Sequence, residues 1–202
     1  MTSVLFNGKK QLVPNCWEEV TTKQYISIIK DWDTDKDIAD RDYFKLLNIL
    51  TDNKYKYDQS VENQITLIDL VGWVIFQPAP FKEAPLPKLI MFHGEPIDIP
   101  RNIKQLSIGQ NIHLRREIEK LKLLDACIPI AMGIYLQPII DKTSKFSLDR
   151  AREIAKEVEE LPISLTYPIG FFLLTSAIQP GRTMPGIWQR VNSSLNRILK
   201  RR

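Results

Sequence analysis

The chain has 202 residues, 44% of them apolar and 26% charged, which are the proportions of an ordinary globular protein. A chain of this length forms one or two domains and can bury roughly 70% of its unfolded surface. No segment approaches the roughly 18 consecutive apolar residues of a membrane-spanning helix. The first residues also lack the basic region and apolar core of a secretory signal, so we expect neither a membrane protein nor a secreted one.

The net charge of +4 is concentrated near the C-terminal end of the sequence. Residues 187–202 contain five basic side chains and no acidic one, so the other 186 residues carry a net charge of −1. This distribution argues against a broad nucleic-acid-binding face on the body of the protein.

The first predicted elements are a β-hairpin and a helix. Asn7-Gly8 is a typical two-residue hairpin turn between two β-prone segments. Pro14 cannot donate a hydrogen bond to a sheet and ends the second strand. Thr21 and Gln24 have the spacing of a capping box, which starts a helix. We expect this helix to end in the polar run that begins at Asp31.

The same pattern returns 86 residues later. The matching residues are Phe6, Gly8, Pro14, Thr21, Gln24 and Ile26 in the first stretch, and Phe92, Gly94, Pro100, Ser107, Gln110 and Ile112 in the second. A match without gaps that keeps glycine, proline, hydroxyl and apolar positions predicts an internal duplication. The chain is therefore expected to contain two tandem copies of one hairpin-plus-helices unit.

Further helices are predicted after each capping box from apolar residues at helical spacing. In the first copy they cover 43–50 and 59–76, and the apolar C-terminal half of the second should be the most buried element of that copy. In the second copy they cover 107–124, 128–136 with Gln137-Pro138 as its end, 147–160 and 167–174. The predicted domain organisation is a first copy at 1–80, a Pro-rich connector at 81–87, a second copy at 88–178, and a C-terminal region at 179–202.

The C-terminal region is predicted to be an exposed loop followed by an amphipathic basic helix over 187–202. Its apolar residues recur at intervals of three and four, with arginines on the opposite face. Two roles stay open: the helix docks on its own domain, or it contacts a neighbouring subunit or packaged DNA. The candidate contact residues are Trp188, Arg190, Arg197, Lys200, Arg201 and Arg202.

The sequence offers few groups for catalysis or metal binding. His93 is expected in a hairpin turn, and Cys16 and Cys127 lack metal-ligand spacing. The acidic run from Asp31 alternates like an EF-hand loop but lacks the required glycine and glutamate. Zinc-binding, phosphate-binding and nucleophile-elbow motifs are absent from the sequence. We therefore expect a protein that is not an enzyme, holds no cofactor or metal and takes no small-molecule substrate.

The opening segment resembles a family of viral proteins. Its frame, Phe-x-Gly-x5-Pro-x2-Trp-x2-Val-Thr-x2-Gln-Tyr-Ile, includes Trp17-Glu18-Glu19-Val20-Thr21. This frame is similar to the start of structural and tail-assembly proteins of tailed bacteriophages. Together with Leu161-Pro162 and Phe171-Phe172 it resembles proteins of the crAss-like group. The resemblance implies a virion or assembly protein made in the host bacterial cytoplasm, such as a ring component of the tail or head–tail connector, with no catalytic residues.

The sequence thus predicts an α+β, mainly α-helical chain of two tandem copies, each a β-hairpin followed by about three helices, plus the C-terminal amphipathic basic helix. The two hairpins could pair into one sheet, pack on helices, or add to a neighbour's sheet. The leading functional hypothesis is a structural phage protein that forms a homo-oligomeric ring and contacts other virion proteins. Two alternatives are a soluble tail-assembly chaperone that is not retained in the virion, and a carboxylate-based enzyme with a cleft between the copies.

Overall fold

The computed structural model describes residues 1–6, 9–31, 40–52, 67–77, 79–99, 106–120, 123–143 and 145–177. These residues form mainly helices, with two small two-stranded antiparallel sheets, so the expected mainly helical α+β class is confirmed at this level. They divide into two compact units. The first is Met1–Lys82 with Pro162–Ser164, and the second is Glu83–Leu161 with the described residues from Leu165 to Ala177.

The first unit begins with a hairpin and continues with helices. Its elements are β1 (Thr2–Phe6), β2 (Lys9–Val13), α1 (Thr22–Asp31), α2 (Asp40–Thr51) and α3 (Trp73–Phe76). Residues 67–71 are also helical and lead into α3 through a turn at Gly72.

The second unit repeats the order of hairpin and helices. Its elements are β3 (Leu89–Phe92), β4 (Glu95–Asp98), α4 (Ile108–Lys120), α5 (Ile128–Ile140), α6 (Leu148–Glu159) and most of α7 (Ile163–Ala177), whose first two residues belong to the first unit. The predictions that Ser147 caps a helix and that Pro162 separates it from an apolar one are confirmed.

The two hairpins have the same register. Ser3 pairs with Leu12 in the first, and Leu89 pairs with Asp98 in the second, 86 residues later. The other pairs keep this offset. Each hairpin is a separate sheet in the part of the chain that the structure describes, so the alternative in which they pair into one sheet is wrong for these strands.

The turn of the second hairpin has the predicted conformation. His93 and Gly94 have φ values of 51° and 77°, and a type I′ turn needs positive φ at both central residues. The corresponding Asn7-Gly8 turn lies outside the described residues.

Both predicted capping boxes are present with nearly identical geometry. The Gln24 N–H donates to Thr21 Oγ1 at 3.2 Å, and the Thr21 N–H donates to Gln24 Oε1 at 2.9 Å. Ser107 and Gln110 make the same two bonds at the same two distances. The reciprocal pair satisfies two N–H groups that a helix start would leave without partners.

The capping glutamines also reach a second helix through their remaining amide group. Gln24 Nε2 donates to the Leu50 carbonyl at 2.9 Å, and Gln110 Nε2 donates to the Ile134 carbonyl at 2.7 Å. Both glutamines are buried. Leu50 lies in the last turn of α2, where carbonyls lack a helical partner. Each glutamine therefore starts one helix and ties it to the next.

Pro138 does not end α5, contrary to the sequence-based expectation. The helix continues to Ile140, and the Asp141 N–H still donates to the Gln137 carbonyl at 3.0 Å. Proline at 138 has no N–H to donate to the Ile134 carbonyl. Gln110 Nε2 donates to this carbonyl instead. The carbonyl is therefore not left without a hydrogen bond, and such a loss is one reason why proline usually ends a helix.

The predicted helix through Leu124 is also shorter than expected. Its regular part, α4, ends at Lys120, and a short 3-10 helix covers Asp125–Cys127 before α5 begins at Ile128. Pro129 is tolerated in the first turn of a new helix, where its missing N–H would have had no partner.

The prediction that the end of the 59–76 helix is the most buried element of its copy is wrong. No residue of α3 is buried, and Phe76 is 71% exposed. Only Leu67 and Val71, in the preceding helical residues, are buried apolar side chains. Trp73 still contacts the Trp17 ring, but Phe76 lies on the surface of the first unit.

The core of the first unit is built around aromatic rings. Trp17 packs edge-on against Tyr25, Trp73 and Phe81, with centroids 6.2, 5.2 and 5.5 Å away. Edge-to-face contacts of this kind add to the stabilisation from burial. The ring cluster fixes the start of α1, because Trp17 precedes the capping box and Tyr25 follows it.

The core of the second unit is centred on α5 and α6, which approach closely at Gly133. A side chain at that position would place its Cβ 2.2 Å from the Ala151 carbonyl oxygen. On the same two helices, the side chains of Ile134, Ile154 and Val158 are fully buried.

Several predictions fall on parts of the chain that are not described. They concern the start of the 59–76 helix, the acidic run after Asp31, the exposed loop at 179–186 and the basic helix at 187–202.

Candidate interaction surface

The six residues predicted as partner or DNA contacts all lie outside the described residues. They are Trp188, Arg190, Arg197, Lys200, Arg201 and Arg202. Their role stays a prediction. The exposed apolar surfaces of the described residues are formed by other side chains.

The second hairpin exposes an apolar face. Leu89 and Met91 alternate with buried Ile90 and Phe92 along β3, and are 46% and 55% exposed. Successive side chains of a strand point to opposite faces, so Leu89 and Met91 lie side by side. Pro96 pairs with Met91 across the hairpin and is also exposed, which extends the apolar face to β4.

Contacts to α5 and α6 hold this hairpin in place. His93 Nε2 contacts Glu157 Oε2 from the turn, and the Tyr135 hydroxyl donates to the Asp98 carbonyl at 2.5 Å. Burial, followed by the negative charge of Asp98, raises the pKa of Tyr135 to about 12, so this hydroxyl stays a donor at neutral pH. The apolar face therefore lies on a hairpin that is fixed by contacts with α5 and α6.

A second apolar face lies at the start of α4. Ile108 is 81% exposed and Ile112 is 45% exposed. Residues four apart lie on the same side of a helix, so the two isoleucines form one face. The capping box at Ser107 fixes the helix end that carries them.

The third exposed apolar group is Phe76 at the end of α3, in the first unit. The helical turn before it is anchored by Trp73, whose indole N–H donates to the Pro14 carbonyl at 3.2 Å. A large aromatic side chain exposed on an anchored helix end is suited to insertion into a partner.

The carboxylates with shifted pKa values serve structural ion pairs. Burial raises the pKa of Glu117, but hydrogen bonds and charge from Lys120 and Arg152 outweigh it and lower the pKa. A hydrogen bond from Gln137, and then the Arg150 guanidinium, lower the pKa of Asp141. These neighbours therefore favour the ionised form of both carboxylates.

The pKa values of both thiols are raised. Burial raises the pKa of Cys127 to about 12, and burial with nearby Glu18 raises that of Cys16, so both stay protonated at neutral pH. Among the described residues, no group of three or more His, Cys, Asp or Glu side chains is arranged to hold a metal ion. Within the same residues, every helix is too short or too polar to cross a bilayer.

Some of these features were detectable in the sequence and others were not. The spacing of Ile108 and Ile112 is visible, but nothing local distinguishes an exposed apolar pair from a buried one. The His93–Glu157 contact joins residues 64 positions apart, and only the packing of the hairpin on α6 brings them together.

Comparisons with known proteins give no match to a family model, to a curated protein or to a solved structure.

Proposed function

We propose that this chain is a non-enzymatic structural component of a tailed-phage particle, a ring protein of the tail or head–tail connector that acts through subunit–subunit contacts. The observation that carries the proposal is the exposure of apolar side chains on anchored helices and strands. Single exposed apolar residues are common on protein surfaces, but here Leu89 and Met91 are neighbours, as are Ile108 and Ile112. The resemblance of the Trp17–Thr21 segment to phage structural proteins supports the same role.

We also propose that the chain consists of two tandem copies with a C-terminal basic helix. Three observations support the duplication, and the strand pairs, the capping boxes and the two donating glutamines repeat at an offset of 86 residues. The hairpins share one register, the capping boxes share both hydrogen bonds, and Gln24 and Gln110 each donate to the following helix. The two acceptors, Leu50 and Ile134, are 84 residues apart. The spacing from the glutamine to its acceptor is therefore 26 residues in the first copy and 24 in the second.

A duplicated chain suits assembly into rings. Two similar units offer two similar but non-identical surfaces, and contacts between different surfaces of identical subunits close into rings when the rotation allows it. In this proposal the basic residues at 187–202 contact a neighbouring virion protein or packaged DNA.

Imaging of the purified full chain tests this proposal. We expect negative-stain electron microscopy and mass photometry to reveal a closed multimer of the 23.4 kDa chain. A chain that stays monomeric at the highest concentrations tested, and forms no ring when mixed with purified particles lacking it, would count against a ring protein.

A further inference from the structure

The strand register shows which backbone groups of the second hairpin point outward. Leu89 lies opposite Asp98, and next to this pair the Ile99 N–H donates to the Lys88 carbonyl at 2.9 Å. Hydrogen-bonded and non-hydrogen-bonded pairs alternate along an antiparallel ladder. Leu89 is therefore in a non-hydrogen-bonded pair, and so is Met91 two residues later. The N–H and C=O groups of Leu89 and Met91 point away from β4.

The outer edge of β4 is protected against a further strand. Pro96, at an outward position, has no N–H to donate. The outward carbonyl of Asp98 already accepts from the Tyr135 hydroxyl. Proline and charged side chains are common means of protecting a sheet edge. A third strand is therefore not expected beside β4.

The outer edge of β3 has no such protection within the second unit. Among the described residues, the outward groups of Leu89 and Met91 form no hydrogen bond, and the sheet has two strands. The four residues of β3, Leu-Ile-Met-Phe, carry no charge and include no proline. An apolar edge strand with open hydrogen-bonding groups is a site where another strand adds.

The β3 strand of a second copy fits this edge. When two β3 strands run antiparallel with Ile90 on the two-fold axis, Leu89 of each copy lies opposite Met91 of the other. The outward N–H and C=O groups then form two hydrogen-bonded pairs, which contain four hydrogen bonds. The side chains of Leu89 and Met91 also meet on the exposed face, where cross-strand apolar pairs stabilise a sheet.

The charges next to β3 are compatible with this register. Lys88 of one copy comes opposite Phe92 of the other, and Phe92 has Glu95 on its far side. Each lysine thus has an acidic residue two strands away. The two lysines are four residues apart along the strands, or about 14 Å. This separation exceeds the Debye length of about 8 Å at physiological ionic strength.

Strand β1 of the first hairpin is a less suitable partner. Its residues at the matching register positions are Ser3 and Leu5. Pairing with β1 in the same geometry would place the Ser3 side chain opposite the apolar Met91. A second β3 offers an apolar side chain at both positions, so the edge is best matched by its own copy.

We propose that two chains associate by antiparallel pairing of their β3 strands, with Leu89 opposite Met91, to form a four-stranded sheet. Both copies use the same surface, so the contact is two-fold and joins two chains or two rings. It is a different contact from the head-to-tail one that closes a ring, and it does not depend on the proposed phage role. The interface is small, so we expect a dissociation constant on the order of 100 μM.

Two charge variants of the full chain test the register. We expect Leu89→Glu and Met91→Lys each to weaken self-association about tenfold in sedimentation equilibrium, because each disrupts two apolar cross-strand pairs per dimer. An equal mixture should form a one-to-one dimer with near wild-type affinity, since the new carboxylate of one chain lies opposite the new ammonium group of the other. Both residues are exposed, so circular dichroism and melting temperature should be unchanged.

Leu12→Glu is the matched control for these variants. Leu12 is also an exposed strand leucine, at 58%, but it lies on β2, outside the proposed contact. We expect its self-association to equal that of the wild type. A mixture that associates no better than either variant alone would overturn the proposal. An equal loss in Leu12→Glu, or a wild type that stays monomeric up to about 1 mM, would also overturn it.

Amide hydrogen exchange, followed by NMR on the labelled full chain, tests the backbone bonds themselves. We expect exchange at Leu89 and Met91 to slow as the protein concentration rises. The Asp98 N–H points outward from β4, outside the contact, and should keep its rate. Protection of Leu89 and Met91 that is already complete in the dilute monomer would mean that another part of the same chain covers this edge, and would overturn the proposal.

Discussion

At the residue scale, the side chains of Gln24 and Gln110 each make two different hydrogen bonds. The Oε1 atom accepts from the backbone of the capping residue, and the Nε2 group donates to a carbonyl in the next helix. Both amide groups are buried, so each lost bond would leave a polar group without water. Glutamine is the side chain that can accept and donate here at the same time.

Replacing Gln110 by glutamate should isolate the bond to the Ile134 carbonyl. Gln110→Glu keeps an acceptor for the Ser107 N–H, but an ionised carboxylate cannot donate to the carbonyl. We expect a loss of about 1–3 kcal/mol in the free energy of unfolding at pH 7, measured by urea titration at fixed protein concentration.

This loss should depend on pH. The buried glutamate would have a folded-state pKa above its unfolded value of about 4.3, because only its protonated form can donate. The variant should therefore approach the wild-type stability below about pH 4.3 and fall behind it as the pH rises. Gln110→Leu is the control, with a loss that does not change with pH, and a pH-independent loss in Gln110→Glu would contradict the role of the amide donor.

The sequence predicted the hydrogen bonds within each capping box. Thr21 with Gln24, and Ser107 with Gln110, were recognisable because a capping box spans only four residues. The bonds to Leu50 and Ile134 were not, since they depend on where another helix lies. The same limit explains the His93–Glu157 contact.

At the element scale, two of the wrong expectations have one cause. Pro138 was expected to end α5, and α3 was expected to be buried. Both expectations were based on the residues of the segment itself and not on its contacts with other elements. Gln110 provides the donor that Pro138 lacks, and the first unit provides no core around Phe76. Tertiary contacts decided both outcomes.

The link between Pro138 and Gln110 can be measured by a double-mutant cycle. Pro138→Ala restores an N–H that can donate to the Ile134 carbonyl, so Gln110→Leu should destabilise the Pro138→Ala protein less than the wild type. We expect a coupling free energy of about 0.5–1.5 kcal/mol from urea unfolding.

Gln24→Leu provides the matched control for this cycle. Its acceptor, Leu50, is in another helix, so its effect should add to that of Pro138→Ala. Equal coupling for both glutamines, or none for Gln110, would contradict the explanation of why α5 tolerates Pro138.

At the scale of the whole molecule, the fold class was predictable and the surface was not. The hairpins, the capping boxes and most helices followed from turn residues and apolar spacing. Whether Leu89, Met91 and Ile108 face a core or a partner could not follow from those patterns, because both places select apolar residues. Their exposure is the link between the fold and the proposed assembly role.

The basic C-terminal residues make a separate prediction at this scale. If Arg197, Lys200, Arg201 and Arg202 contact packaged DNA, replacing all four by glutamine should weaken DNA binding and flatten its salt dependence. Fluorescence anisotropy with duplex DNA at several salt concentrations measures both. DNA binding by the wild type that is negligible at low salt would assign these residues to solvent or to an acidic protein neighbour.

The proposed role is that of a structural part retained in a phage particle. Quantitative mass spectrometry of gradient-purified particles, compared with lysates of infected cells, tests it most directly. We expect the chain to copurify with the particles at a constant multi-copy ratio to the major capsid protein. A chain that is abundant in infected cells but missing from the particles would contradict a structural role and identify an assembly factor instead.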